Sequence, residues 1–256
     1  MMRKWAVAGA LGGVLLGLLL HAPAVWLSVP LASATGARMQ LLEVRGTVWR
    51  GEGRLQVGQG TADSPAAGLP GRVAWSWGWE AGAPTLELRA DCCSPQPQRL
   101  RLVTGWRSLA LQLVDGQSQW PAALLAGLGA PWNTVQAQGE LQMRTQGLSV
   151  EWSASGVRLA GQLQTDALAM ASRLSTLRPV GSYRLTLTGP PGDQPASLLL
   201  QTLEGPLRLQ GSGEWTGQGW RFKGEASADP QSEAALQNLL NMLGRREGGK
   251  ALLTLG

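Results

Sequence analysis

Apolar and polar residues alternate along this chain with a period of two, and glycine cuts the alternation every few residues. That pattern limits the possible folds more than any other feature. The stretch "LEVRGTVWRGEGRL", residues 42–55, shows it in miniature, with breaks at Gly46, Gly51 and Gly53 and an indole, Trp49, in the middle. Side chains on a strand point alternately to its two faces, so such a run buries one face and wets the other. "MQLLEVRGTVWRG" and "GRLQVGQG" read as two strands, "GRVAWSWGWE" and "PTLELRADCC" as two more, and "QRLRLVTG" and "RSLALQLVDG" as the next pair. After a break the grammar resumes from Thr134 and runs to "QGWRFKGEASAD". The turns fall at Gly, Pro, Asp and Asn, as short antiparallel strands require. With Gly 35 and Pro 15 but no G-x-y period, collagen is excluded, and 44% hydrophobic content excludes a disordered tail. The pattern predicts a mostly β, antiparallel meander, with an open, groove-shaped sheet as one form it can take.

Two short helices interrupt it. "SQWPAALLAGLGAPWN" predicts one near 119–128, with Pro121 in its first turn. The second is predicted over 230–243. Asp229 stands as N-cap, Pro230 as N1, and Leu236, Leu239, Leu240 and Leu243 form one stripe. Gly244 is expected to stop it as a left-handed C′ residue, with Arg245 and Arg246 facing the negative helix end and "KALLTLG" as a closing strand.

The amino terminus carries a membrane signal. Arg3 and Lys4 precede an uncharged run from Trp5 to Leu27, 23 residues, enough to cross a ~30 Å hydrocarbon core. Charge before the run and none soon after it leave residues 1–4 in the cytoplasm, 5–27 as the span and 28–256 outside. A cleaved leader is the competing reading, with "APA" at 22–24 as the cleavage site. Without Arg3 and Lys4 the chain holds 20 basic residues against 17 acidic, in no cluster, which gives no footprint for nucleic acid.

Two residue types stand out. Cys92 and Cys93 are the only cysteines and are adjacent, open to a vicinal disulfide, to free thiols or to pairing between chains. Trp 12 against Tyr 1 and Phe 1 is unusual; a GC-rich genome accounts for it, and a surface of ring platforms is the functional alternative. Trp75, Trp77 and Trp79 share one strand face with Val73, and with Trp49 they are either core or contact anchors.

No catalytic constellation is visible. The one histidine, His21, lies at the end of the apolar run, so no Ser-His-Asp or Cys-His arrangement can form beyond it. G-x-S-x-G, S-x-x-K, H-E-x-x-H and phosphate-loop motifs are missing, and two cysteines cannot make a structural zinc site. Asp63, Glu80, Asp91, Asp115, Glu140, Glu151 and Asp166 read as solvated turn acids. No enzyme activity, cofactor or metal is expected.

Four stretches in order carry a resemblance: "VWLSVPLASATGARMQLLEVRGTVWRGEGRL", "LRADCCSPQPQRLRL", "LSTLRPVGSYRLTL" and "LQNLLNMLGRREGGKALLTLG". With them the chain resembles protein N of the bacterial type II secretion system over nearly its whole length. The resemblance implies an inner-membrane subunit with one span and a β-rich periplasmic domain, taking part in export of folded proteins across the outer membrane. It implies other secretion subunits as partners, inner-membrane clamp-type proteins first and the secretin as a further candidate, and it carries over no catalytic residue. The chain also looks like a miniature of the AsmA-like periplasmic proteins, whose glycine-broken strands form an apolar groove, and that likeness implies lipid as ligand. In either case a meander leaves an unpaired edge where another subunit can add a strand.

Overall fold

The computed structural model describes residues 12–255 apart from 15–16, 59, 61–65, 131, 155, 193 and 218. Their strands are β1 Met39–Gly46, β2 Arg50–Val57, β3 Ala67–Gly68, β4 Val73–Glu80, β5 Ala83–Ala90, β6 Gln98–Thr104, β7 Ser108–Leu113 and β8 Gly116–Pro121. They continue with β9 Gln138–Ser153, β10 Gly156–Ala171, β11 Gly181–Gly189, β12 Ser197–Glu204, β13 Leu207–Trp215, β14 Trp220–Ala228, β15 Arg245–Glu247 and β16 Lys250–Leu255. All join one antiparallel sheet in nearly serial order, β1-β2-β4-β5-β6-β7-β9-β10-β11-β12-β13-β14-β16-β15, with β3 beside β2 and β8 beside β9. The serial meander read from the alternation is therefore the fold.

One face is apolar from end to end. Trp77, Leu86, Leu100 and Leu113 stand opposite one another across β4 to β7, and Leu102, Leu111, Val150 and Leu159 across β6, β7, β9 and β10. Leu163, Leu187 and Leu198 continue the face through β10, β11 and β12. The opposite face is charged, with Arg72 bridging Glu43 at 3.1 Å and Glu52 at 3.2 Å, and Lys250 pairing Glu225 at 2.9 Å.

Holding the apolar face on one side through β9 takes a bulge. Two β9 residues, Gly147 and Leu148, oppose the single Gly161 of β10, which reverses the alternation within β9. Leu141 and Met143 below the bulge thereby share a face with Val150 and Trp152 above it. The Gly147 N–H, turned out of the ladder, donates to Asp115 Oδ1 at 2.6 Å, in the gap between β7 and β8.

The two ends of the sheet differ. One end holds the turns after β1, β4, β6, β9 and β13 and is called the hairpin end below. At the other end helical segments lie on the apolar face. Helix Glu233–Leu243 buries Leu236, Leu239 and Leu240 against Tyr183, Leu207, Ala226 and Ala251. Tyr183 donates its hydroxyl to Leu207 O at 3.1 Å, and burial pushes its phenol pKa well above the ordinary range. A smaller cluster gathers Leu69, Ala90 and Cys93 with Leu55, Val73, Trp120 and Leu124. Its Leu124 belongs to the 3₁₀ helix Ala122–Leu128, which touches β2, β3 and β9 at once. Five strand spacings separate β2 from β9, about 24 Å in a flat sheet, whereas seven 3₁₀ residues span about 14 Å. The sheet is drawn in at this end.

Both predicted helices exist, with corrected details. The first is a 3₁₀ turn that starts at Ala122, because Trp120 and Pro121 still belong to β8. In the second, Pro230–Ser232 is 3₁₀ and Asp229 makes no capping bond; its carboxylate pairs with Arg208 at 3.3 Å instead. Gly244 is extended at φ −178°, not left-handed, and Arg245 and Arg246 open β15.

The amino-terminal expectation changes more. Residues 12–14 and 17–20 are helical, but Ala22 is irregular and Pro23 extended, followed by a 3₁₀ turn at Ala24–Leu27 and the short helix Ser28–Ala34. Pro23 donates no N–H and has ψ 139°, so the helix cannot run through to Leu27. Among the described residues no helix is long and apolar enough to cross a membrane. The rest of the expected span, residues 5–11 and 15–16, lies outside the described residues, as does the cytoplasmic tip 1–4.

Candidate functional site

Among the described residues no group of three or more His, Cys, Asp and Glu side chains gathers where it could hold a metal ion. One carboxylate with a lowered pKa is structural in setting. Asp166 of β10 accepts from Arg184 Nε at 2.7 Å and from Arg184 Nη2 at 2.8 Å, directly across from it on β11. The Arg184 hydrogen bonds hold the Asp166 carboxyl below its usual range, against the opposing effect of burial. This two-pronged pair joins neighbouring strands on the polar face. The remaining surfaces are the cysteine turn, the two sheet edges and the tryptophans.

Cys92 and Cys93 follow β5 in a turn, and their sulfurs lie 1.98 Å apart as a bonded pair. Cys93 is buried in the smaller cluster, its N–H donates to Ala90 O at 2.9 Å, and its carbonyl accepts from Gln119 N at 2.7 Å. The turn thereby ties β5 to β8 at the end that β6, starting at Gln98, does not reach. Its place in the fold is a staple between strands, away from the hairpin end.

Both outer strands are partly shielded. Among the described residues β1 pairs only with β2; it is bulged between Leu42 and Arg45, and the segment Ala24–Ala34 packs against it. β15 is three residues, Arg-Arg-Glu, a short charged edge of the kind that discourages further pairing.

The four tryptophans singled out in the sequence divide. Trp75 is core, 6% exposed, and its indole N–H lies 3.3 Å from Thr47 O and 3.2 Å from Val48 O. Trp77 and Trp79 stand on the same strand face but are exposed, Trp79 to 73%. Trp49 is not on a strand at all: β1 stops at Gly46, and Trp49 occupies the turn before β2. Its indole N–H donates to Leu19 O at 2.8 Å, the last turn of the amino-terminal helix. Four further indoles are exposed: Trp26 after the amino-terminal helix, Trp132 in the short helix Trp132–Val135, Trp152 near the end of β9 and Trp106, 98% exposed, in the turn before β7. The sequence signal of Trp106 and Trp152 is position, since each lies within two residues of a Gly- or Ser-rich turn.

A family model described as Type II secretion system (T2SS), protein N, matches residues 37–252, from just before β1 into β16. The chain belongs to that family. The protein N match thus takes in the meander as far as Leu252, the buried residues of both apolar clusters, the cysteine turn and the exposed indoles from Trp49 to Trp152. It begins after the amino-terminal helix and the segment that packs on β1. No curated protein and no solved structure matches the chain.

Proposed function

We propose that this protein N chain is a non-catalytic subunit of the type II secretion system, held at the inner membrane by its amino-terminal apolar segment. Its sheet lies in the periplasm and works by contact with other secretion subunits. Family membership over residues 37–252 carries the reading. The apolar run behind Arg3 and Lys4 supports the location, since a basic start keeps the leading end in the cytoplasm. Inner-membrane clamp-type subunits are the first partners, because a tethered sheet meets them in the same membrane, and the secretin is the next. The test compares the full chain with one in which residues 5–27 are replaced by a cleavable leader. Co-purification with inner-membrane secretion subunits is expected from the full chain and lost from the exported sheet. Equal recovery from both would refute the anchored-subunit reading.

One observation favours a second reading, a lipid-holding groove. The leucine rows of β6, β7, β9 and β10 are only half-buried, with the helical segments packed elsewhere on the same face. Organic extraction of the purified exported sheet tests it: stoichiometric phospholipid supports a groove that carries lipid, and an empty extract rejects it.

A further inference from the structure

The amino-terminal helix does not end in free solvent. Its last turn is stitched to the β1–β2 hairpin by three contacts. Trp49 donates to Leu19 O at 2.8 Å, Val48 N donates to Ala22 O at 2.9 Å, and Pro23 forms a bridge with Thr47. Wherever the carboxyl end of that helix lies, the hairpin end of the sheet lies with it.

The sequence bounds that depth. The uncharged stretch that ends at this turn runs from Trp5 to His21, 17 residues, since Pro23 is extended and bridges Thr47. A helix of that many residues would cover about 26 Å at 1.5 Å per residue, less than the ~30 Å hydrocarbon core. A span this short is matched by drawing its flanks toward the bilayer, so Leu19 and Ala22 sit at the lipid–water boundary. The side chain and backbone bonded to them share that depth.

The hairpin end is equipped for such a place. It displays Trp49, Trp77, Trp79, Trp106 and Trp152 from four different hairpins, all exposed, with Trp106 at 98%. Val25 and Trp26, just after the helix, are exposed too. Water gives no return on an uncovered indole, whereas the headgroup layer takes its ring and its N–H together. Arg50 follows Trp49 and Arg107 follows Trp106, which puts cations where lipid phosphates would lie.

We propose that the hairpin end of the sheet rests on the membrane surface from which the amino-terminal helix emerges, with these five indoles in the headgroup layer. The helix-covered end then points away from the bilayer and is left for protein partners. The proposal rests on the anchored reading above, and the experiment separates the two. The full chain is reconstituted into vesicles of phosphatidylethanolamine and phosphatidylglycerol, with and without brominated acyl chains, which quench nearby indoles. Flotation reports the anchor; quenching reports the rim. The chain is expected to float, and W79S/W106S/W152S to float equally while losing about two fifths of the quenchable emission, since three of seven membrane-side indoles are gone, the others being Trp49, Trp77, Trp26 and Trp5. On the unaltered chain, bromines near the headgroups are expected to quench more than bromines near the bilayer centre, a result that needs no variant to fold. Flotation with quenching unchanged in the triple variant, or with stronger quenching by deep bromines, overturns the rim and leaves the anchor standing. Failure of the unaltered chain to float overturns both.

Discussion

Asp166 and Arg184 show how a single pair is weighed in this sheet. The carboxylate is almost fully covered and accepts two bonds from the guanidinium, which is itself 36% exposed, and Gln164 Nε2 donates to the same carboxylate at 3.1 Å. Water screens the exposed partner, so D166N is expected to cost about 1–2 kcal/mol at neutral pH. Because the folded-state pKa is depressed, this contribution is present above the ordinary carboxylate range near 4 and is lost as pH falls through the folded value. Urea unfolding at pH 7 and pH 3 should show the gap between wild type and D166N closing in acid; a gap independent of pH would contradict the ion-pair account. Gly161 is decided by geometry alone. It has φ +88°, and a Cβ there would stand 2.2 Å from Gly147 O, a backbone atom that cannot swing aside. G161A is expected to cost roughly 2 kcal/mol or more in the same titration, and to shift the amide resonances of Gly147 and Asp115 across the bulge.

At the scale of elements, helix Glu233–Leu243 is a lid on the apolar face rather than an independent helix. Eleven residues are marginal by themselves, and its order comes from Leu236 and Leu240, both fully buried. L240A is expected to lower unfolding stability by about 3 kcal/mol, the transfer loss plus the cavity it leaves. The exposed M242A on the same helix should lie within about 0.5 kcal/mol of wild type; equal effects would mean the helix does not pack as described. The leucine stripe was legible because period 3.6 and burial say the same thing. The helix end was not. Gly244 is required because a Cβ would stand 2.0 Å from Leu252 O, a contact made by a strand that returns eight residues later. Sequence shows that a glycine is there but not whether conformation or crowding demands it. The strands were legible for the same reason as the stripe, whereas the β9 bulge was not. Leu148-Val150-Trp152 and Leu141-Met143-Thr145 each alternate correctly, and only the register with β10 reveals that their phases differ. Trp49 was misplaced because "TVW" continues the alternation of β1, while the chain leaves the strand at Gly46 to meet the amino-terminal helix. That tertiary contact has no local signature.

On the scale of the whole molecule, the apolar cover is uneven, and stability should follow it. The larger cluster joins the 3₁₀ helix after β8, strands β9 to β14 and β16 through the terminal helix, while β2 to β5 share only the smaller cluster around Leu69, Ala90 and Cys93. Between them, toward the hairpin end, β4 holds Trp77 and Trp79 exposed and β5 to β7 hold their leucines half-exposed, with no helix laid across them among the described residues. A serial meander carries few contacts beyond adjacent strands, so opening of one part need not wait for another. Amide hydrogen exchange on the folded protein is therefore expected to find β10, β11 and β14 protected about 100-fold more than β5 and β6, a gap of about 2.7 kcal/mol in opening free energy. Uniform protection across all these strands would mean that the sheet opens only as a whole, and the uneven cover would then carry no energetic weight. The same measurement repeated on lipid vesicles separates intrinsic weakness from surface docking. A sheet whose hairpin end rests on headgroups gains protection first at the turns around Trp79, Trp106 and Trp152, in the half that its own core secures least. The weakly covered strands and the exposed indoles then have one explanation: the bilayer supplies at the hairpin end what the terminal helix supplies at the other.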